Sequence, residues 1–186
     1  MKYLNKIIAI DGHDKRKRKN SWVGIVLHHT GIGKKKSRTE KMWRTFNMNV
    51  ARYLGLRDKV YVSAHYQIGR YGEIIRIIDD EKYIAFHAGK SSFWHPIKRK
   101  WVNNCNEYYI GVELLGDGNQ IRYTETQYEA LSELCAYLMD RHVTIQPNLI
   151  VGHEMVSPGR KVDVGKFFAW NKFYKMLHKK RNEDIF

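Results

Sequence analysis

The sequence predicts an α/β fold, with a single domain in which helices flank a central mixed β-sheet. Segments of strand length alternate along the chain with segments of helical periodicity, the arrangement typical of this class. The length of 186 residues and the hydrophobic fraction of 43% fit one domain with a substantial core. We expect a basic N-terminal arm over residues 1–21, the main domain over 22–180 and a short tail over 181–186.

The first half of the chain predicts a central strand followed by a helix. The run from Trp22 to His29 is apolar at both parities, as in a strand that is covered on both faces. It follows a run of basic residues at 15–19, which we expect to be a solvated arm. A glycine-containing loop over residues 31–37 carries a second basic cluster, and apolar residues then recur at helical spacing from Thr39.

The second half of the chain predicts further strands and two helices. Thr124 and Gln127 have the spacing of a capping box, which marks the start of a helix whose apolar stripe includes Cys135. The other predicted elements are a hairpin of Tyr61–Gly69 with Glu73–Ile78, a strand over Tyr108–Leu115, a short strand over Leu149–Gly152 and a closing helix over Lys166–Lys179.

Charge and apolar composition limit the possible partners. Lysine and arginine number 33 against 19 acidic residues, so the net charge of +14 favours an anionic partner such as nucleic acid, a membrane surface or a cell-wall polymer. No apolar run approaches the about 20 residues that span a bilayer, and the first ten residues carry no small-residue cleavage site. We therefore expect synthesis in the cytoplasm without an ordinary signal peptide.

Cys105 and Cys135 lack the CxxC spacing of a metal or redox motif. We expect reduced thiols, with a disulfide as the alternative.

Two histidines and one aspartate could form a metal site. His28 stands at the end of the central strand and His153 at the end of a second strand, where α/β sheets present residues to ligands. The turn-rich loop after His153 could return Asp163 to the same place. Two imidazoles and a carboxylate would make an open catalytic zinc site at the C-terminal ends of strands. The alternative is that these are ordinary histidines among the 9 in the chain.

Glu113 and Lys161 are candidates for catalysis beside that site. Along the strand that ends at Leu115, Glu113 shares a face with Gly111, whose missing side chain would leave room for a ligand. Lys161 lies two residues before Asp163. The alternative is an exposed strand carboxylate and one more surface lysine.

Five ordered motifs resemble the zinc-dependent N-acetylmuramoyl-L-alanine amidases of the amidase-2 type, which also includes peptidoglycan recognition proteins. The resemblance runs in order from about residue 22 to residue 170. The motifs are Ile25–Thr30, Val62–Gly69 with Gly72–Ile75, Ala85–Gly89 with Ser92 and Trp94, Tyr109–Leu114, and Gly152–Gly165.

The resemblance implies a role for each matching residue. His28, His153 and Asp163 would bind Zn²⁺, Glu113 would be the catalytic carboxylate, and Lys161 would assist at the oxyanion. The substrate-binding set would comprise His87 and Trp94 as walls of the groove, His29 as the neighbour that is not a ligand, and Ala64 at a position where some relatives have tyrosine.

The resemblance also implies a substrate, with the biological setting left open. We expect hydrolysis of the amide between N-acetylmuramic acid and L-alanine by a monomeric phage or prophage endolysin, which acts on the cell wall after release and approaches its anionic polymers through the basic surface. The alternatives are a cytoplasmic amidase that recycles anhydro-muropeptides and a protein that binds peptidoglycan without cleaving it. Specific binding of nucleic acid is not expected, because no recognisable nucleic-acid-reading motif is present.

Overall fold

The computed structural model describes residues 3–4, 15–31 and 63–183. The helix predicted from Thr39 and the basic cluster at 34–36 lie outside the described residues, as do the last three residues of the predicted tail.

The described elements are ten strands, three α-helices and two short 3₁₀ helices, at 105–107 and 147–149. In chain order they are β1 (Tyr3–Leu4), β2 (Lys15–Lys17), β3 (Gly24–His29), β4 (Tyr66–Ile68), β5 (Ile74–Arg76), β6 (Tyr83–Ala85), β7 (Ser92–His95), β8 (Lys100–Asn103), β9 (Tyr109–Leu114), α1 (Glu125–Arg141), β10 (Ile150–Gly152), α2 (His153–Val156) and α3 (Trp170–Glu183).

Six of the strands form the central mixed sheet that the sequence predicts. Their order is β1-β5-β4-β9-β3-β10. The β4–β5 hairpin is antiparallel, whereas β3 runs parallel to both of its neighbours, β9 and β10. The predicted central strand is therefore confirmed, and the carboxyl ends of β3 and β10 lie side by side.

Helices α1 and α3 cover one face of the sheet. Their buried residues, such as Leu131 and Phe173, form one core cluster with Ile25, Leu27 and Val112 of the sheet. The opposite face carries a smaller cluster that includes Val26 and Tyr109. The larger core makes the sheet a rigid support for the side chains at the edge of the second face.

The capping box of α1 is confirmed. The Gln127 N–H donates to Thr124 Oγ1 and the Thr124 N–H donates to Gln127 Oε1, both at 3.2 Å. Cys135 lies on the buried side of this helix and packs in the hydrophobic core. Cys135 and Cys105 are both free thiols, as expected.

Helix α3 begins at Trp170, four residues later than the sequence predicts. Gly165 has a φ of 95°, and the Phe168 N–H donates to its carbonyl, so the chain turns before it can enter the helix.

The predicted solvated arm differs from the structure near its end. Strand β2 pairs antiparallel with β6, and the Arg18 N–H donates to the Lys82 carbonyl at 2.8 Å. Residues 15–18 are therefore joined to the domain. The sequence analysis missed this pairing because a basic run contains no local signal for a partner that lies more than sixty residues away.

The β7–β8 hairpin was also not predicted. Its inward residues Phe93 and His95 are buried, whereas Trp94 and its cross-strand partner Trp101 are exposed. Among the helices that the structure describes, none combines the length and the apolarity that crossing a bilayer requires.

A buried carboxylate, that of Asp80, joins the sheet to the end of α1. Asp80 accepts hydrogen bonds from the hydroxyl of Tyr66 at 2.6 Å, from Arg76 and from His142 at 2.7 Å. Burial alone would raise the pKa of this carboxyl, but the hydrogen bonds and the Arg76 charge lower it well below its usual range. Ionised Asp80 therefore stabilises the folded state.

Replacing Asp80 with asparagine should lower the free energy of unfolding by about 3 kcal/mol at pH 7. The reason is that Tyr66, Arg76 and His142 would lose the buried negative charge to which they are hydrogen-bonded. Because the pKa is depressed by folding, this stabilisation is present above the unfolded pKa of about 3.9 and is lost as the pH falls. The difference between Asp80→Asn and the wild type should therefore shrink below about pH 4. Urea unfolding at several pH values measures it, with exposed Asp140→Asn as the control; a difference independent of pH would contradict this role.

Candidate metal centre

The two histidines predicted as ligands meet because their strands are parallel neighbours. His28 is near the carboxyl end of β3, and His153 directly follows β10. Leu27 lies opposite Gly152 in the β3–β10 register. Both side chains are buried, at 4% and 1% exposure.

Asp163 reaches the same point by the return of its loop, as the sequence analysis expected. The Glu154 N–H donates to the Asp163 carbonyl at 2.8 Å, and the Tyr123 hydroxyl donates to the Val164 carbonyl at 2.8 Å. These two bonds hold the backbone of the loop at Asp163 and Val164, next to the carboxylate. Asp163 Oδ2 lies 3.0 Å from His28 Nδ1 and 2.9 Å from His153 Nδ1.

The hydrogen bonds behind His28 determine which of its nitrogens carries the proton. His87 Nε2 donates to the Tyr109 carbonyl at 3.0 Å, because a carbonyl can only accept. Burial lowers the pKa of His87 well below its usual value, so the ring is neutral and its Nδ1 is an acceptor. His28 Nε2, at 2.9 Å from that atom, must therefore be the donor.

The same accounting leaves the Nδ1 of His28 unprotonated. Burial lowers the pKa of His28 to about 4, so a proton on Nε2 leaves a lone pair on Nδ1 at neutral pH. His153 Nε2 donates to the Ala88 carbonyl at 2.9 Å, which leaves its Nδ1 as the ring nitrogen that faces His28 and can offer a lone pair. The two Nδ1 atoms are 2.9 Å apart.

Electrostatics adds a negative charge to this arrangement. Burial of Asp163 alone would raise the pKa of its carboxyl, but the adjacent rings of His153 and His28 lower it well below the usual range. An ionised carboxylate and two imidazole lone pairs therefore converge within 3.0 Å of one another. Such a set repels itself unless a cation lies among its members.

These three residues suit a divalent metal by the chemistry of their donors. One nitrogen from each imidazole and one carboxylate oxygen lie together within 4.8 Å, and all three residues are buried. Two neutral nitrogens with one anionic oxygen resemble the protein ligands of an open catalytic zinc site. The carbonyl of Ala88 and the ring of His87 would hold the ligand rings in place from behind.

The structure places His87 behind His28, and its expected role as a wall of the substrate groove stays a prediction. His87 is buried there, and its ring fills the space beside Gly111. A Cβ on Gly111 would approach the His87 ring to 2.5 Å. The room that Gly111 leaves is therefore occupied by the ring of His87, which contacts the candidate ligand His28.

Glu113 lies beside the three candidate metal ligands, on the same face of the sheet. It is paired with His28 in the β3–β9 register, and paired residues of adjacent strands point to the same side. Glu113 is half-buried. The sheet thus places a carboxylate next to the three candidate ligands.

The remaining candidates lie at different places. Lys161 is half-buried, and its charge contributes to the lowered pKa of His28, so it is close to the ligands. His29 points towards Asp117, at 3.8 Å, and accepts a hydrogen bond from the Gly31 N–H. Ala64 is buried at 3% exposure, and Trp94 contacts Trp101 across the hairpin at 6.3 Å between ring centroids.

Two polar residues near the site were missed by the sequence analysis. Gln67 is paired with Glu113 in the β4–β9 register and is buried. Glu154 is half-buried, and burial, with the negative charge of Asp163, raises the pKa of its carboxyl. A glutamine between the apolar neighbours Tyr66 and Ile68 was the available signal for the first. Glu154, adjacent to a ligand, resembled an ordinary residue of a loop.

Comparison with known proteins identifies a family. Residues 18–166 match the family Amidase_2, described as N-acetylmuramoyl-L-alanine amidase. The chain is 38% identical over 112 residues to the 1,6-anhydro-N-acetylmuramyl-L-alanine amidase AmpD of Haemophilus influenzae. The aligned region covers 60% of this chain and 56% of that protein. This chain is 36% identical over 118 residues to AmpD of Escherichia coli K12, with 63% and 60% covered. The chain thus matches less than two thirds of the length of these relatives.

Solved structures of similar fold include relatives of the same kind. A crystal structure of a selenomethionine AmpD derivative matches with a TM-score of 0.63 and 27% identity, covering 85% of this chain and 86% of that one. AmiD from E. coli, in complex with anhydro-N-acetylmuramic acid-L-Ala-D-gamma-Glu-L-Lys, matches with a TM-score of 0.62 and 22% identity, covering 83% and 57%. At that identity the second likeness supports the fold alone.

Replacing His87 with alanine should weaken zinc binding by about 10- to 100-fold, because the His28 Nε2–H loses the acceptor that orients its ring. Competition with a chromophoric chelator measures the affinity. Exposed His178→Ala is the control, and it should bind zinc as the wild type does. Equal affinities for wild type and His87→Ala would show that His87 does not orient the ligand.

Proposed function

This chain belongs to the Amidase_2 family of N-acetylmuramoyl-L-alanine amidases, and from that membership we propose that it hydrolyses the amide between N-acetylmuramic acid and L-alanine. His28, His153 and Asp163 would hold the zinc ion of this reaction. One observation carries the proposal: three ligand atoms converge within 3.0 Å of one another, with Glu113 on the adjacent strand.

The amide is difficult to cleave because its carbonyl is a weak electrophile and its nitrogen is a poor leaving group. When bound, zinc supplies Lewis acidity, which polarises a carbonyl and lowers the pKa of a water molecule towards about 7. The buried, neutral imidazoles of His28 and His87 suit this role, since protonation of His28 would remove a ligand.

Glu113 would move the protons. Its carboxylate accepts a proton from the attacking water and returns it to the departing nitrogen of L-alanine, as a two-way general acid–base group must. Ala64 stands where some relatives have a tyrosine, and it has no proton to give. The Lys161 ammonium, close enough to act on His28, would stabilise the oxyanion through a charge-assisted hydrogen bond.

The names of the curated relatives favour one of the two possible substrates, the soluble anhydro-muropeptide and the intact cell wall. The curated relatives at 35–38% identity are named 1,6-anhydro-N-acetylmuramyl-L-alanine amidases. This supports the alternative of the sequence analysis, a soluble anhydro-muropeptide, over an endolysin that attacks the intact wall. We therefore propose the anhydro-muropeptide as the preferred substrate.

A protein that binds peptidoglycan without cleaving it is the competing function. It needs neither a metal nor a carboxylate beside it. The ionised, buried Asp163 among two imidazoles favours the enzyme, because such a set is expensive to bury unless it serves a cation.

Replacing Glu113 with glutamine should lower turnover by about 10²- to 10⁴-fold, because the side-chain shape remains while the base is lost. Zinc content and muropeptide binding should stay as in the wild type. The assay counts new amino groups of L-alanine and new reducing ends, and only the amino groups should increase.

The matched control is Glu129→Gln, which removes an exposed carboxylate from α1 and should leave turnover unchanged. Chelation of zinc should abolish cleavage, and zinc should restore it. Near wild-type turnover in Glu113→Gln would remove Glu113 from the mechanism, and new reducing ends would contradict an amidase.

Substrate preference is measured by offering soluble anhydro-muropeptide and intact sacculi separately. We expect faster cleavage of the anhydro-muropeptide. Faster cleavage of sacculi would favour the endolysin alternative.

Binding to anionic walls should weaken steeply with salt, because salt screens the attraction between the wall and a chain with 33 basic and 19 acidic residues. Cleavage of a small muropeptide should change less with salt.

A further inference from the structure

A row of polar side chains crosses three strands of the sheet beside the metal centre. In the register, Glu113 of β9 is paired with His28 of β3 on one side and with Gln67 of β4 on the other. All three point to the face opposite the large core, since Tyr66 and Ile68, which flank Gln67, belong to that core. With adjacent strands about 4.8 Å apart, Gln67 lies one strand beyond Glu113 from His28.

The side-chain amide of Gln67 is buried without a partner for its donor. Gln67 is 2% exposed, and within residues 15–31 and 63–183 its Nε2 has no hydrogen-bond partner. A buried donor without an acceptor destabilises the folded protein, and folded proteins rarely retain one without a reason. Glu113, although adjacent in the register, does not accept from this nitrogen.

A second buried glutamine shows how the same side chain is used structurally. Gln127 is 1% exposed, and its Nε2 donates to the Leu115 carbonyl at 3.0 Å. Its Oε1 accepts from Thr124 in the capping box. Gln127 therefore stabilises the fold, whereas the donor of Gln67, at equal burial, does not.

We propose that Gln67 Nε2 donates a hydrogen bond to a carbonyl oxygen of the bound muropeptide next to the scissile amide. The inference rests on the proposed function and extends it by a substrate-binding residue. A muropeptide whose scissile amide lay at His28 and Glu113 and which followed this row of side chains would reach Gln67. Amide carbonyls flank that bond in muropeptides, and the amide N–H₂ of Gln67 is a donor that suits such an oxygen.

The test replaces Gln67 with methionine, which is close to it in size and removes both polar atoms. In the substrate-free holoenzyme, the urea midpoint should stay equal or rise, because an unsatisfied donor has been removed from the interior. With anhydro-muropeptide, KM should rise by about 3- to 10-fold, the effect of one lost hydrogen bond, while kcat changes little. Zinc content should match that of the wild type.

Gln127→Met is the matched control, with the same substitution at the same burial. It should lower the urea midpoint and leave KM unchanged, the opposite pattern. A fall in the midpoint of Gln67→Met would show that Gln67 has a structural partner, and an unchanged KM would show that it does not contact substrate; either result overturns the inference. If the wild type itself fails to release L-alanine amino groups, both the proposed function and this inference are wrong.

Discussion

The candidate metal centre depends on one constraint: His28 Nδ1, His153 Nδ1 and Asp163 Oδ2 must lie together with no proton among them. Two imidazole lone pairs and an ionised carboxylate lie within 3.0 Å of one another, an arrangement that repels itself. Hydrogen bonds from the outer nitrogens of the two rings hold the rings in place against that repulsion. The Ala88 carbonyl accepts a hydrogen bond from His153 Nε2, and the Tyr109 carbonyl accepts one from His87, which in turn accepts one from His28. These bonds keep the Nδ1 lone pairs of His28 and His153 directed towards each other.

This arrangement requires a glycine on one face of the sheet, where the ring of His87 packs against the backbone. Gly111 is the position where a side chain would collide with the ring of His87, so the glycine admits the histidine that orients His28. Burial also keeps these rings neutral, since it lowers the pKa of His28 to about 4 and the pKa of His87 well below its usual value. Packing therefore determines ligand chemistry through both geometry and protonation.

The two faces of the sheet divide stability from chemistry. The face under α1 and α3 is apolar and continuous, and its buried glutamine is satisfied by the chain itself. The other face carries His28, Glu113 and Gln67 in one row, with a donor that the described residues leave without an acceptor. The unpaired donor of Gln67 therefore lies in the same row of residues as the candidate metal ligand His28.

Local sequence by itself determined the elements and the identity of the candidate ligands. The doubly apolar run before His28, the capping box at Thr124 and the alternation around Glu113 follow from periodicity, which neighbouring residues set. Ordered motifs indicated the family. Only the tertiary structure placed β2 against β6, moved His87 behind His28 and revealed the unpaired donor of Gln67. These features depend on contacts between residues far apart in the chain, and local periodicity carries no information about which distant group will fill a space or remain without a partner.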